Sequence, residues 1–287
     1  MAVQNKTRML GAICGDMAGS IYEWHNIKHV LTEDQLIQGR ARFTDDSVMT
    51  LAVAVGLKNA LQKCGKRTDF TSEDETVIRE EVQRSMQLYG RQYPHAGYGG
   101  SFRGWLFASD PQPYNSWGNG SAMRASYAGW VAQTLEDAEL LGRLSAEVTH
   151  NHPEGVKGAV AVSGGIFTLL HSEGEDVVAR KEKLARYEAQ HYDLGFTLDE
   201  IRPGYTFDVS CQGSVPQAIR AFLEGNSYSE VIALAISIGG DSDTIAAIAG
   251  SLAEAVYPIP AQIQERALAR LDDTFKQDLK SVVDFLK

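Results

Sequence analysis

Two acidic clusters lie far apart in the chain, and each sits in a short turn directly before an apolar run of helical period. The first is Phe43-Thr44-Asp45-Asp46-Ser47 and the second is Gly239-Gly240-Asp241-Ser242-Asp243-Thr244. Behind the first, Met49, Val53, Leu57, Leu61 and Cys64 line one helical face while Leu51 and Val55 line another, which predicts a helix buried on more than one side. Behind the second, Ile245, Ile248, Ala249, Leu252 and Val256 recur at helical spacing. Alone, each cluster has the pattern of a helix cap with acidic residues favoured by the macrodipole. Together they offer what oxygen-ligated hard cations require, several anionic oxygens converging from preorganised backbone. The chain between them then serves to bring them together.

The rest of the chain repeats the helical period. Residues 7–22 are apolar at helical spacing but carry Gly11, Gly15 and Gly19, which propensity alone disfavours and which imply that another helix or a ligand approaches the backbone closely. Glu23 and His25 follow at the exit, where Glu23 reads either as a solvated helix end or as a group of the site. Ile78, Val82, Met86 and Tyr89 mark a second amphipathic helix ending at Gly90. Ser227 and Glu230 have the spacing of a capping box opening a helix through Val231, Leu234, Ala235 and Ile238. After Pro258 and Pro260, Ile263, Ala267, Leu271, Phe275, Leu279 and Leu286 predict one long closing helix. No stretch alternates as a strand does, and no linker divides the chain. An all-α fold, one domain over residues 1–287, is expected.

Two stretches depart from this pattern. Residues 94–105 and 113–124 are rich in glycine, hydroxyl and aromatic residues, the composition of a binding loop or of a structural Ω-loop with core aromatics. Aromatic faces can sandwich a base, and glycine N–H groups at a helix start can meet phosphate oxygens. Further on, His150 and His152 precede Pro153, which suits a first helical position. No Cys or third His accompanies them at zinc spacing, so a single polar contact from His150 to a ligand is the simpler reading.

Composition narrows the function classes. A net charge of −10 without a basic cluster argues against nonspecific binding to nucleic acid or anionic membrane, so any phosphate-bearing ligand must be held by metal ions and helix ends. The longest apolar runs, such as residues 231–238, fall far short of the roughly 20 residues that span a bilayer. Residues 1–11 lack the uninterrupted apolar core of a secretory signal, and a cytoplasmic location is expected. Cys14, Cys64 and Cys211 are widely spaced, as buried reduced thiols would be.

Assembled, these residues resemble the ADP-ribosylglycohydrolase family. The motifs that carry the likeness are Gly15-Asp16 with Gly19 and Glu23, residues 43–47, residues 97–100, the run Gly118-Asn119-Gly120-Ser121-Ala122-Met123-Arg124, Thr149-His150, and residues 237–244. The resemblance implies a compact orthogonal all-α bundle holding two divalent cations, Mg2+ or Mn2+, beneath a cleft for ADP-ribose. It assigns Thr44, Asp45, Asp46, Asp241, Asp243 and Thr244 as metal ligands, with Asp243 bridging both ions. Glu23 becomes the mobile catalytic acid, with Asp46 and Asp243 as further catalytic carboxylates. Gly99, Gly100, Ser101, Ser116, Gly118, Asn119, Gly120, Ser121 and Met123 fall to the substrate, Trp117 lies beside the adenine, and His150 contacts the ligand. The implied partner is an ADP-ribosylated protein or small molecule, with nucleic acid entering only as a modified substrate.

One departure bears on substrate. Arginine-directed relatives resemble one another in placing an acidic residue near the segment that here reads Tyr98-Gly99-Gly100-Ser101-Phe102, and this chain has none between Gly90 and Ala108. That leaves serine-linked or other O-linked ADP-ribose, a modified small molecule or nucleic acid end, or an ADP-ribose metabolite as alternatives.

Overall fold

The computed structural model describes residues 8–172 and 174–287, so most of the stretch behind the secretory-signal reading lies outside the described residues. The first half comprises α1 (Gly11–Gly19), α2 (Asp45–Cys64), α3 (Ser72–Gln92), α4 (Gly100–Phe107), α5 (Gly120–Met123), α6 (Ser126–Val131) and α7 (Leu135–Glu147). The second comprises α8 (Pro153–Leu170), α9 (Val177–Glu188), α10 (Leu198–Ile201), α11 (Cys211–Glu224), α12 (Tyr228–Ser237), α13 (Ser242–Glu254), α14 (Ala261–Leu268) and α15 (Asp273–Phe285). No β-strand occurs among the described residues, and one isolated bridge pairs Gly118 with Ser210. The fold is all-α, as the periodicity predicts.

The core is built around α1 and α13, both buried along their whole length. The glycines of α1 explain how they meet. A methyl group at Gly11 would strike the Gly250 carbonyl, one at Gly15 the Ala246 carbonyl, and one at Gly19 the backbone of Ser242 and Asp243. Glycine every fourth residue puts one backbone contact on each turn of the same face. The helices run antiparallel, and the Glu254 carboxylate at the end of α13 accepts from Leu10 N at 3.2 Å and Gly11 N at 2.9 Å, satisfying N–H groups that a helix start leaves open. Their other ends bring Asp16 and Gly19 beside the second acidic cluster.

Several local expectations are revised. The closing helix is two helices, because the Asp272 carboxylate accepts from Phe275 N at 2.9 Å and caps a fresh start after α14. The capping box at Ser227 is half formed. Ser227 accepts from Glu230 N at 3.1 Å, but the Glu230 carboxylate reaches Asn226 N instead. Helix α1 stops at Gly19, where Tyr22 N turns back to the Gly19 carbonyl, so Glu23 leaves on a turn. Cys14 and Cys211 are buried thiols, whereas Cys64 is partly exposed. No helix among the described residues is long and apolar enough to cross a membrane.

Candidate active site

The starts of α2 and α13 face each other across the end of α1, and a cleft of about 620 Å³ opens above them. Thr44 is the N-cap of α2, its hydroxyl accepting from Asp46 N at 3.3 Å, so the cap reading of the first cluster is correct as far as it goes. The caps also aim the carboxylates. Asp241 occupies the N-cap of α13 without a capping hydrogen bond, which leaves its carboxylate to the cleft and to Asn119, whose amide donates to it at 2.6 Å. Thr244 joins the two helix starts by donating to Asp46 Oδ2 at 3.2 Å.

Two acidic groups result. Oxygens of Asp16, Asp46 and Asp243 lie within 4.8 Å of one another, and so do oxygens of Glu23, Asp241 and Asp243. Asp243 belongs to both. Burial raises the carboxyls of this floor, and repulsion from neighbouring carboxylates adds to it for the four that follow: Asp46 and Asp243 stand well above the ordinary carboxylate range, Asp45 is pushed up to about 7 and Glu23 to about 6. Asp46 Oδ1 is buried with no hydrogen-bond partner among the described residues. A buried unpaired carboxylate oxygen among like charges is costly by itself and well suited to a divalent cation, whose hard-oxygen preference the surrounding hydroxyls also meet. The residues therefore fit a divalent metal. Asp45 lines the cleft beside them but stands in neither group, and Thr44 lies just behind it.

Asp16 is the floor residue that the sequence reading quoted without assigning a role. Its Oδ1 accepts from Thr44 Oγ1 at 2.7 Å, and its Oδ2 accepts from Thr44 N at 2.8 Å, from Ser47 N at 3.1 Å and from the Ser47 hydroxyl. Burial lifts it to about 6, against the pull of those four bonds. With its oxygens so occupied, it orients Thr44 and the start of α2. The signal for it was its place between Gly15 and Gly19, where the backbone contact with α13 leaves room for little else.

The walls come from the glycine-aromatic loops. Gly99, Gly100, Ser101, Ser116, Trp117, Gly118, Asn119, Gly120, Met123 and His150 all line the cleft. Ser121 does not: it is buried and donates to the Gly155 carbonyl at 2.6 Å, tying α5 to α8. The loops are held by backbone bonds from distant segments, Asp45 N to Ala96 O at 2.9 Å and Asn119 N to Val209 O at 2.8 Å. Trp117 is half exposed, its ring edge-on to His152 at 5.5 Å. His152 itself caps α8, accepting from Glu154 N at 3.1 Å, while His150 is buried behind Gly118 and Gly120.

At the opposite lip, Trp24 stacks on Phe207 with centroids 5.1 Å apart, both exposed and both lining the cleft. The Glu23 turn beneath them is latched. Asn26 donates to the Glu23 carbonyl at 2.8 Å and accepts from Gly240 N, while Lys28 Nζ donates to Tyr205 O and Ile238 O. Gly239 and Gly240 have φ of +72° and +77°, a conformation that favours glycine, and their bare backbone admits Asn26 and Tyr205. Periodicity could not have found this latch, because its members belong to irregular segments.

Known proteins resemble the chain along most of its length. The chain is 27% identical over 318 residues to the human (Homo sapiens) ADP-ribosylhydrolase ARH3, covering 87% of this chain and 84% of that one. It is 24% identical over 254 residues to the Rhodospirillum rubrum ADP-ribosyl-(dinitrogen reductase) glycohydrolase, covering 85% and 79%. A solved ADP-ribosylglycohydrolase-related protein complex superposes with a TM-score of 0.65 at 21% identity, covering 99% of this chain and 98% of that one, which shows a shared fold. A sequence model of the ADP-ribosylglycohydrolase family matches residues 6–287. The chain, with its acidic floor and glycine-lined cleft, belongs to the ADP-ribosylglycohydrolase family of glycosyl-bond hydrolases.

Proposed function

We propose that this protein is a binuclear-metal-dependent hydrolase, one domain throughout, that cleaves the C1″ glycosidic bond of ADP-ribosylated proteins or small molecules and releases ADP-ribose. The observation that carries the reading is Asp243, shared by two acidic groups at the base of a cleft walled by glycine and aromatic residues. Asp45, Asp46, Asp241 and Asp243, with the hydroxyls of Thr44 and Thr244, would hold two cations, Mg2+ or Mn2+, Asp243 being the residue common to both acidic groups. When bound, such ions supply electrophilic binding for vicinal ribose hydroxyls and lower the pKa of water.

The chain's own groups handle the rest. Cleavage at C1″ passes through an oxocarbenium-like state, which gains from a fixed ribose and a positioned proton donor. Glu23, lifted to about 6 by burial and by Asp241, keeps a usable proton population near neutral pH and stands at the edge of the floor. It can give that proton to the departing acceptor oxygen. Gly99, Gly100 and Ser101 at the start of α4, and Ser116, Gly118 and Gly120 opposite, offer backbone N–H and hydroxyl donors to the diphosphate and ribose. Trp117 presents its face to the adenine, and Asn119 holds Asp241 in place. The acid-free segment between Gly90 and Ala108 favours serine-linked or other O-linked ADP-ribose over the arginine-linked form.

The test is a panel of serine-, arginine- and acetyl-linked ADP-ribose substrates turned over with Mg2+ or Mn2+ in heavy-oxygen water. Label on the C1″ oxygen of released ADP-ribose is expected, with turnover lost to chelation. Undiminished turnover in excess chelator, label on phosphate, or ADP-ribose binding without turnover of any linkage would each sink the proposal.

A further inference from the structure

Arg124 is among the largest fully buried side chains of the described residues. It follows α5, borders the cleft, and is 1% exposed, yet no carboxylate pairs with it among the described residues. Its Nη2 donates to Thr149 Oγ1 at 2.7 Å and to the Ser145 carbonyl at 3.4 Å, its guanidinium lies 5.7 Å from the centre of the Phe102 ring, and its Nε has no hydrogen-bond partner among the described residues. A buried cation without a counter-charge is costly, and the polar group it touches most closely leads directly to the ligand wall.

The direction of the hydrogen bonds follows from what each group can do. A guanidinium only donates, so Thr149 Oγ1 accepts from Arg124 and has one proton left to give. Two acceptors are within reach: the Ala146 carbonyl at 3.5 Å and His150 Nδ1 at 2.6 Å. The shorter contact takes the proton. An Nδ1 that accepts leaves the ring proton on Nε2. That nitrogen faces the loop: a Cβ at Gly118 or at Gly120 would lie 3.4 Å from it, in ordinary van der Waals contact.

We infer that Arg124 and Thr149 are positioning residues, a hydrogen-bond chain that fixes His150 as the Nε2–H tautomer so that the ring meets the bound ligand as an N–H donor. The recognised chemistry is an oxygen acceptor, a ribose hydroxyl or diphosphate oxygen, and this part rests on the ADP-ribose reading above. Burial and the nearby Arg124 charge also hold the imidazole well below its ordinary pKa, so it stays neutral. A neutral ring with a fixed proton keeps donating across the working pH range, which a ring free to exchange tautomers does not.

The experiment reads the tautomer directly, by nitrogen–proton correlation NMR on the full chain labelled with ¹⁵N-histidine, the His150 signals being assigned by their loss in His150→Asn. The ligand-free wild type is expected to show the Nε2–H form. Thr149→Val, which keeps the shape and removes the hydroxyl, is expected to mix or invert the tautomers and to weaken ADP-ribose binding about tenfold by calorimetry. Thr149→Ser is expected to restore both the tautomer and most of the affinity, a rescue that a purely structural role for Thr149 does not produce. An Nδ1–H wild type, or a folded Thr149→Val that retains the Nε2–H form, overturns the inference. If the wild type shows Nε2–H, responds to Thr149→Val, and yet binds no ADP-ribose, the chain stands and the ADP-ribose reading fails, so the two failures are distinguishable.

Discussion

The floor of the cleft and its far wall pose opposite electrostatic problems with the same physical means. The floor gathers Asp16, Asp45, Asp46, Asp241, Asp243 and Glu23, and burial lifts each of them above the ordinary carboxylate range, with repulsion adding to it for all but Asp16. The wall buries one cation, Arg124, whose pKa burial lowers to about 10, beside the neutral imidazole of His150. Each end is incomplete alone. An excess of negative charge calls for cations, an unpaired cation calls for an anion, and a ligand with an anionic diphosphate and a hydroxyl-bearing sugar complements both. The contrast with Glu254 makes the point sharper. Glu254 is as deeply buried as Asp46, but its oxygens accept from the backbone at the start of α1, so it needs no external partner, whereas Asp46 Oδ1 has none among the described residues.

The largest effect should come from removing the residue common to both acidic groups. Asp243→Asn is expected to lower turnover by at least about 100-fold, more than the loss of an orienting neighbour usually costs. It should also abolish the rise in Tm expected of the wild type when Mg2+ or Mn2+ is added, while the metal-free variant is expected to melt at or above the metal-free wild type because one repelling charge is gone. A variant that still gains Tm with metal would break the contrast between floor and wall.

Proton linkage gives the next test. Carboxyls raised in the folded state stabilise it fully only below their unfolded pKa, near about 4, and that contribution is lost as pH rises through the folded values of about 6 for Asp16 and Glu23 and about 7 for Asp45. Metal-free protein should therefore lose stability between those limits, and metal should bind more tightly as the competing protons leave. Melting curves with and without Mn2+ are expected to diverge steadily from acid to neutral pH, and calorimetry in two buffers should register proton release. A gap that narrows with rising pH would contradict the acidic-floor account.

On the wall, Trp117→Ala is expected to weaken substrate by about three- to tenfold, seen mainly in KM, since an exposed stacking partner contributes about 1 kcal/mol. An equal fall in kcat would place Trp117 nearer the chemistry than the comparison allows. The smallest effect lies outside the cleft. Glu188 is buried against Gly165 with neither carboxylate oxygen hydrogen-bonded among the described residues, and burial holds it well above the usual range. Glu188→Gln should raise Tm by roughly 2–4 °C at pH 7 to 8, where the unfolded chain ionises the glutamate, and change little near pH 4. It should leave the metal response intact, separating a structural acid from those of the floor.

What the sequence by itself determined is local. Helical period, capping residues and prolines specify an all-α chain, place both acidic clusters at helix starts, and single out the glycine-aromatic loops as either binding loops or structural Ω-loops, because each signal acts within a few residues. The glycines at positions 11, 15 and 19 announced a close neighbour without naming it. Only the tertiary structure decided that the neighbour is α13, that Asp16 is occupied by Thr44 and Ser47 while Asp46 keeps an open oxygen, that Ser121 turns from the cleft to Gly155, and that Arg124 reaches His150 through Thr149. The physical reason is common to all of these. A side chain's charge and hydrogen-bonding capacity belong to its type, but whether they are satisfied, shifted or left open depends on burial and on partners that the chain supplies from far along its length.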